Sequence, residues 1–468
     1  MQGVPVRTVK VSALFVLTLV ISMAISVVAS DMDHRNDPNG PWKDDHASFD
    51  RGFKYEGDLL NDHSRTPTIK PGQLQVRFQE EIVTMIEQID ESTALVYWED
   101  LVAFGPRVTG SQAVEDAGDY IYETFADMGL EVRYHAWSYG GESGYNIEGT
   151  LPGKDPDSDE IYIVCGHYDS VNGAPGADDN ASGTSAVMVC AEIMSQYAFD
   201  HTVRFVAFSG EEQGLLGSHV YAQEASLNGD NIVAVLNADM ISYAENDYDR
   251  SHVLLYHDDY SMWLVDFTDN VAEEYYDYIN LDVIPDGFTW GSDHYSFWEF
   301  DYNAVFYFEN NFNAYYHSPN DVIANCDLLY EQRNCRLILA TLAELSQLAP
   351  LPDVKANGSD NAVTISSSEN LNVTVALETS GVTGNGDWWL LTMSPFGWFH
   401  YNVQQDWLPG LDVTFQGPLL DLPTREVLNI SHLPEGAYTF YFGIDLLMNG
   451  VPDMDQGYYD RVRVNVVP

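Results

Sequence analysis

Positive charge is what this chain has least of. Over 468 residues, 20 Lys plus Arg stand against 72 Asp plus Glu, a formal net charge of −52. Only six of the twenty are lysine. Nothing in such a chain neutralises a phosphate backbone, so nucleic acid is excluded as a partner. The acids are spread through both halves instead of forming one tail. That is the pattern of a solvated surface that stays soluble in concentrated salt, where screening weakens self-repulsion, and it predicts a halophilic or marine source.

Cysteine is also scarce, with four in the chain, and none has the spacing of a zinc knuckle. Cys326 and Cys335 flank a polar, loop-like segment, where a short disulfide is expected if the chain is exported. Cys165 closes an apolar strand and Cys190 lies in an apolar helix, so both read as buried thiols. No internal repeat is present. Helical periodicity is missing after Asp353.

What is present starts at the N-terminus. Arg7 and Lys10 precede an uncharged apolar run from Val11 to Val28, closed by Ala29 and Ser30. This is the layout of a secretory signal peptide over 1–30, and it predicts a secreted, extracellular protein. Retained as a single-span anchor, the same run would make the membrane a partner. Residues 31–75, rich in Asp, Asn, His, Pro and Gly, read as a linker or pro-segment.

From Val76 onward Phe78, Ile82, Met85, Ile86 and Ile89 fall at helical spacing, as do Leu95, Trp98, Leu101 and Val102. A third helix is predicted from Val114 to Met128, stopped at Gly129. Strands then alternate with helices. Strands are expected near 131–137, 161–164, 203–208, 232–236, 253–256 and 304–308, and helices at 182–197, 216–224, 262–278, 293–300 and 336–348. The fold class implied over 76–352 is α/β, a mixed and mostly parallel sheet flanked by helices on both faces. Residues 353–468, with short alternating runs broken by Gly, Pro and Asn, read as a small all-β sandwich.

Five side chains able to bind metal sit at predicted strand ends or in loops. They are His167 in Cys-Gly-His-Tyr-Asp-Ser, Asp179 in Gly-Ala-Asp-Asp-Asn-Ala-Ser-Gly, Glu212 in Ser-Gly-Glu-Glu-Gln-Gly, Asp239 in Leu-Asn-Ala-Asp-Met, and His317 in Tyr-Tyr-His-Ser-Pro-Asn-Asp. Singly, each has an ordinary alternative: a satisfied histidine at a strand end, a helix cap, an exposed acidic turn. Jointly, two imidazoles and three carboxylates suit a pair of borderline-hard divalent ions, with one carboxylate left to bridge. Adjacent Glu211 and Glu212 repel each other unless a cation sits beside them. One can bind metal while the other accepts a proton from water. Asp169, two residues after His167, is placed to hold the second imidazole nitrogen. Together these point to a two-metal hydrolase.

These motifs, with Phe104-Gly105-Pro106-Arg107-Val108-Thr109-Gly110-Ser111 ahead of them, resemble the secreted co-catalytic dizinc exopeptidases of the bacterial leucyl aminopeptidase type. That superfamily also holds glutamate carboxypeptidases and glutaminyl cyclases, and the likeness covers roughly Val76 to Leu348. It implies two zinc ions per chain, one held by His167 and Asp239, the other by Glu212 and His317, with Asp179 bridging. It implies Glu211 as general base, Asp169 as the residue orienting His167, and peptides cut at a free amino terminus as substrates. A carboxypeptidase and a silent receptor or adhesion protein on the same fold are the rival readings. Some relatives place an oxyanion-stabilising tyrosine just before Ser-Asp-His; here Ser292-Asp293-His294 follows Thr289-Trp290-Gly291. Tyr316 and His294 are the candidates left for that role, and Trp290, Phe312 and Tyr315 for an apolar subsite.

In the β part, Asp445, Asn449, Asp453 and Asp455 loosely resemble a calcium loop but lack EF-hand spacing, so a solvated acidic turn is expected. Asn357, Asn372 and Asn429 head glycosylation sequons. Trp388, Trp389, Trp398 and Trp407 are expected in the sandwich core.

Overall fold

In this computed structural model the described residues are 76, 78–452 and 457–468. The signal and spacer readings, with Asp453 and Asp455, lie outside them. An eight-stranded sheet is built from β1 (Glu131–Tyr139), β2 (Glu142–Leu151), β3 (Glu160–His167), β4 (Thr202–Phe208), β5 (Asn231–Ala238), β6 (His252–His257), β7 (Asp282–Gly287) and β8 (Ala304–Glu309). Its order is β1-β2-β4-β3-β5-β8-β6-β7. The central four, β4-β3-β5-β8, are mutually parallel. The α/β class expected from alternation is what the chain forms.

Strand β3 shows why. Along it Ile161, Ile163 and Cys165 face the helices Leu216–Asn228 and His294–Glu299. Tyr162 and Val164 face Gly183–Met194 and Leu328–Ser346. A strand with both faces covered must be apolar at every position, which is how a parallel sheet reads in sequence. The chain passes from β3 to β4 on one side and then to β5 on the other, so the strand order reverses at β3. Ligands of such sheets gather at the carboxyl ends of the strands beside that reversal.

Differences from the sequence reading have local causes. Strand β2 escaped because Gly144 and Gly149 interrupt its pattern. A Cβ on Gly149 would come within 2.9 Å of Leu130 and Phe125, so close packing excludes a side chain there. The helix expected from Arg336 begins at Leu328, capped by Asp327, whose side chain accepts from Tyr330 N. Its first turns hold Glu331, Gln332 and Asn334, polar yet buried, which hides the apolar stripe. The same helix corrects the disulfide. Cys335 lies inside it and is buried, and Cys326 and Cys335 are both free thiols. Cys335 Sγ instead donates to Glu331 Oε1 one turn earlier, and Cys326 Sγ to Val322 O. Phe78 lies ahead of the first helix, Glu80–Glu87, and stacks on Tyr275 with centroids 5.8 Å apart.

Beyond Leu351 the described chain is all β. Strands β9 (Leu351–Ala356), β11 (Asn370–Glu378) and β16 (Leu422–Ser431) form one sheet. Strands β10 (Val363–Ser366), β12 (Asn385–Ser394), β13 (Gly397–Asn402), β14 (Asp406–Pro409), β15 (Phe415–Pro418), β17 (Gly436–Asp445) and β18 (Gly457–Val467) form a second. Leu371, Val373 and Val375 from the first sheet share an apolar cluster with Trp388, Phe440, Phe442 and Val464 from the second. Trp388 is therefore in this core and Trp407 packs against it. Trp398 instead packs at a tilt against Tyr441, with ring centroids 5.7 Å apart.

Tyr458 ties this part to the α/β part, its hydroxyl donating to Asp200 Oδ1 at 2.8 Å. Burial lifts the Asp200 carboxyl from the usual 3.8 to about 6. The native state thus holds this proton more tightly than the unfolded chain. Stability is full below the unfolded value and falls as pH rises through about 6, by at most about 3 kcal/mol. Asp200→Asn keeps an acceptor for Tyr458 and is expected to flatten that fall. Urea melts at pH 4 to 7 check it, and parallel curves for both proteins would refute it.

Candidate metal centre

Each of the five side chains reaches one rim of the sheet by a different route. His167 is the last residue of β3, Asp239 follows β5 directly, Glu211 and Glu212 lie three and four residues beyond β4, and His317 is in the loop after β8. Asp179 sits in the irregular turn 177–182 that enters the helix Gly183–Met194, just before a cis peptide bond to Asn180. The structure brings all five together.

His167 Nε2 lies 3.3 Å from Asp179 Oδ1 and 3.4 Å from Asp239 Oδ1. His317 Nε2 lies 3.1 Å from Asp179 Oδ2 and 3.2 Å from Glu212 Oε2. Asp179 thus offers one oxygen to each imidazole. Glu211 Oε2 stands 3.9 Å from His167 Nε2. With His167 and Asp239 it forms a further set of ligand-type atoms within 4.8 Å of one another. Glu211 is the outermost of that set, as suits a group beside the ions instead of on one.

His167 Nε2, Asp179 Oδ2, Glu212 Oε1 and Asp239 Oδ1 are buried and have no hydrogen-bond partner among the described residues. They approach their neighbours without being aligned to bond them. Ligand atoms that share one tetrahedral zinc at 2.0–2.1 Å stand roughly 3.3 Å apart, and the four imidazole–carboxylate separations cluster at that value. Nitrogen and carboxylate oxygen are also the donor set zinc takes. The residues fit two such ions.

The charges agree. Burial, with the neighbouring carboxylates Glu212, Asp239 and Asp293, holds the Glu211 carboxyl well above its ordinary range although His167 opposes this. Burial and Asp179 push Glu212 up to about 8. His317 would be lowered by burial, but Asp179 and Glu212 carry it up to about 10. Acids that resist ionising beside imidazoles that resist neutrality mark a site whose electrostatics a bound cation inverts.

Surrounding groups fix these ligands. His167 Nδ1 faces the backbone oxygen of Asp169 at 3.2 Å and its side chain at 3.6 Å. A proton on Nδ1 leaves Nε2 as the ligand atom. The Asp169 carboxylate does more than sequence suggested. It accepts from Thr109 Oγ1 at 2.9 Å and from the backbone N–H groups of Glu211 and Glu212 at 3.4 Å each. Asp321 plays the matching part on the other side, accepting from Asp178 N at 2.8 Å and Asp179 N at 3.2 Å. Ser292 Oγ donates to Asp239 Oδ2 at 2.6 Å. Arg107, fully buried, donates to the carbonyls of Tyr168, Pro175 and Gly176 and so ties the His167 and Asp179 segments together.

Asp321 was missed because an acid after Ser-Pro-Asn reads as loop punctuation. Asp321→Asn is expected to weaken metal binding about 10–100-fold. Competition with a chromogenic chelator measures it; native affinity would remove the tether.

The two oxyanion candidates part company. His294 is buried, its Nε2 against Thr289 O at 3.0 Å and its ring stacked on Phe306. Burial lowers its pKa to about 3. Tyr316 stacks on His317 with ring centroids 3.7 Å apart and joins an apolar cluster with Met240, Phe308 and Phe312. Of the expected subsite residues Phe312 belongs to that cluster, Tyr315 packs instead on Tyr243, and Trp290 is 44% exposed.

Residues 146–342 match the model of Peptidase family M28. A probable zinc metalloprotease of Leptosphaeria maculans is 26% identical, over 58% of this chain and 78% of its own. A leucine aminopeptidase 1 of Pyrenophora teres f. teres is 27% identical, over 58% of this chain and 74% of its own. The solved LapA aminopeptidase of Legionella pneumophila superposes with a TM-score of 0.54 at 22% identity, over 60% of this chain and 79% of that one. The last of these shares the fold. The resemblance read from the motifs is borne out.

Proposed function

With its 146–342 segment matching Peptidase family M28, we propose that this chain is a secreted dizinc aminopeptidase that removes N-terminal, preferentially apolar, residues from peptides. The observation that carries it is the set of four imidazole–carboxylate separations of 3.1–3.4 Å centred on Asp179. His167 and Asp239 would hold one ion and His317 and Glu212 the other, with Asp179 offering an oxygen to each. When bound there, zinc would supply polarisation of the scissile carbonyl and a lowered pKa for water.

The chain's own groups supply the rest. Glu211 takes the proton from the attacking water and passes it to the departing amine. Asp169 fixes the backbone of Glu211 and Glu212, so base and ligand move as one piece. The surplus of carboxylates favours a substrate bearing a free ammonium terminus. The Met240, Phe308, Phe312 and Tyr316 cluster beside His317 supports the apolar preference.

The deciding experiment is hydrolysis of a leucyl chromogenic substrate with a free amine by purified protein in high salt. Release lost on chelation, restored by zinc and abolished by acetylating the amine is the expected result. Release only from substrates with a free carboxyl terminus would move the assignment to a carboxypeptidase. No release with zinc bound would point to a binding protein.

A further inference from the structure

Asp387 in β12 and Asp445 at the end of β17 are direct cross-strand partners. Both are buried, at 0% and 1% exposure, which overturns the expectation of a solvated turn at Asp445. Trp388, Leu390, Phe442 and Ile444 face the sandwich core. Alternation therefore places Asp387, Trp389, Gly443 and Asp445 together on the opposite face of the sheet.

The segment after β17 folds back over them. Leu447 N donates to Asp445 Oδ1 at 2.8 Å. Gly450, at φ 71, turns its N–H onto Asp387 Oδ2 at 2.7 Å; that left-handed backbone suits glycine. Gln416 Nε2 donates to Asp387 Oδ1 at 2.8 Å. Asp445 Oδ2 is buried with no hydrogen-bond partner among the described residues, and Asp445 lines a small cavity with Trp389, Gly443, Pro452, Gly457, Tyr458 and Tyr459.

Like charges directly opposite one another destabilise a sheet, and a buried carboxylate is costly unless a cation or a proton accompanies it. The lysine in this part, Lys355, pairs with Asp353 and Asp360, and neither buried aspartate has a basic partner among the described residues. We propose that Asp387 and Asp445 form a calcium site that locks the 446–452 segment onto the β sheet. The candidate ligand atoms are carboxylate oxygens with no imidazole or thiolate beside them, the kind a hard cation takes. Two carboxylates favour a divalent ion, and an irregular turn accommodates the variable shell of calcium better than the strict octahedron of magnesium. The site belongs to a different sheet from the metal centre and needs nothing from it.

The test uses the zinc-loaded full chain in chelator-free, cation-stripped buffer at fixed high ionic strength, titrated with calcium chloride. Calorimetry is expected to show one calcium bound per chain. The melting temperature is expected to rise by roughly 5–10 °C at a hundredfold excess over the dissociation constant. Asp445→Asn and Asp387→Asn are each expected to lose both responses while hydrolysing leucyl substrate as the native chain does. Without calcium, Asp445→Asn should melt no lower than native, because it removes one of two opposed charges. A native chain indifferent to calcium, or variants that respond as it does, would overturn the site. A calcium-free melting point that depends on pH in the native chain alone, with no calcium response, would assign a shared proton instead. Should one variant fail to fold, the other and the native titration still decide.

Discussion

Replacing Glu211 by glutamine is expected to cut turnover about 10²- to 10⁴-fold while zinc content stays near native. The substitution keeps the shape and one carbonyl oxygen but cannot accept a proton. Glu211 is the least tightly held member of its corner, 3.9 Å from His167 Nε2 where Asp179 and Asp239 lie at 3.3 and 3.4 Å. Removing its charge also relieves Glu212 and Asp239, which crowd it, so metal affinity is not expected to fall. Measuring zinc by atomic absorption beside kcat separates the two effects. Near-native turnover would take Glu211 out of the base role, and loss of zinc in step with turnover would make it a ligand.

Moving the zinc-loaded protein from about 1 M to about 0.01 M salt lengthens the screening distance from about 3 Å to about 30 Å. The melting temperature is expected to drop by more than about 10 °C. The few cations lie where they offset little of this repulsion. Arg133, Arg204 and Arg250 pair with acids. Arg107, Arg333 and Arg336 instead donate to backbone carbonyls. Arginines that tie loops leave the net −52 with little compensation at the surface. A melting temperature unchanged by salt would show that the acids are spaced widely enough not to interact.

The convergence of the candidate metal residues was legible where a residue closely follows an apolar run that reads as a buried strand, because strand ends of a parallel sheet converge by topology. His167, Glu212 and Asp239 needed no more than that. The tethers were less visible. Asp321 acts through backbone N–H groups more than 140 positions away in sequence, and no spacing rule links such partners. Helix start Leu328 and strand β2 were hidden for opposite reasons, buried polar residues in one and glycines in the other. Asp445 was misjudged because an acid in a turn is normally wet, and only the return of 446–452 over the sheet makes it dry. The free thiols of Cys326 and Cys335 follow from a helix boundary, which single-sequence periodicity places poorly.

Arg107 carries a consequence for how such a protein can vary. One planar guanidinium, out of reach of solvent, suspends the segments that bear His167 and Asp179 from fixed carbonyls. Lysine, a point charge without the fork, has no equivalent grip. The apolar cluster of Met240, Phe308, Phe312 and Tyr316 beside His317 is not part of that suspension. The grip on the candidate metal ligands and the apolar surface beside them thereby belong to separate parts of the chain.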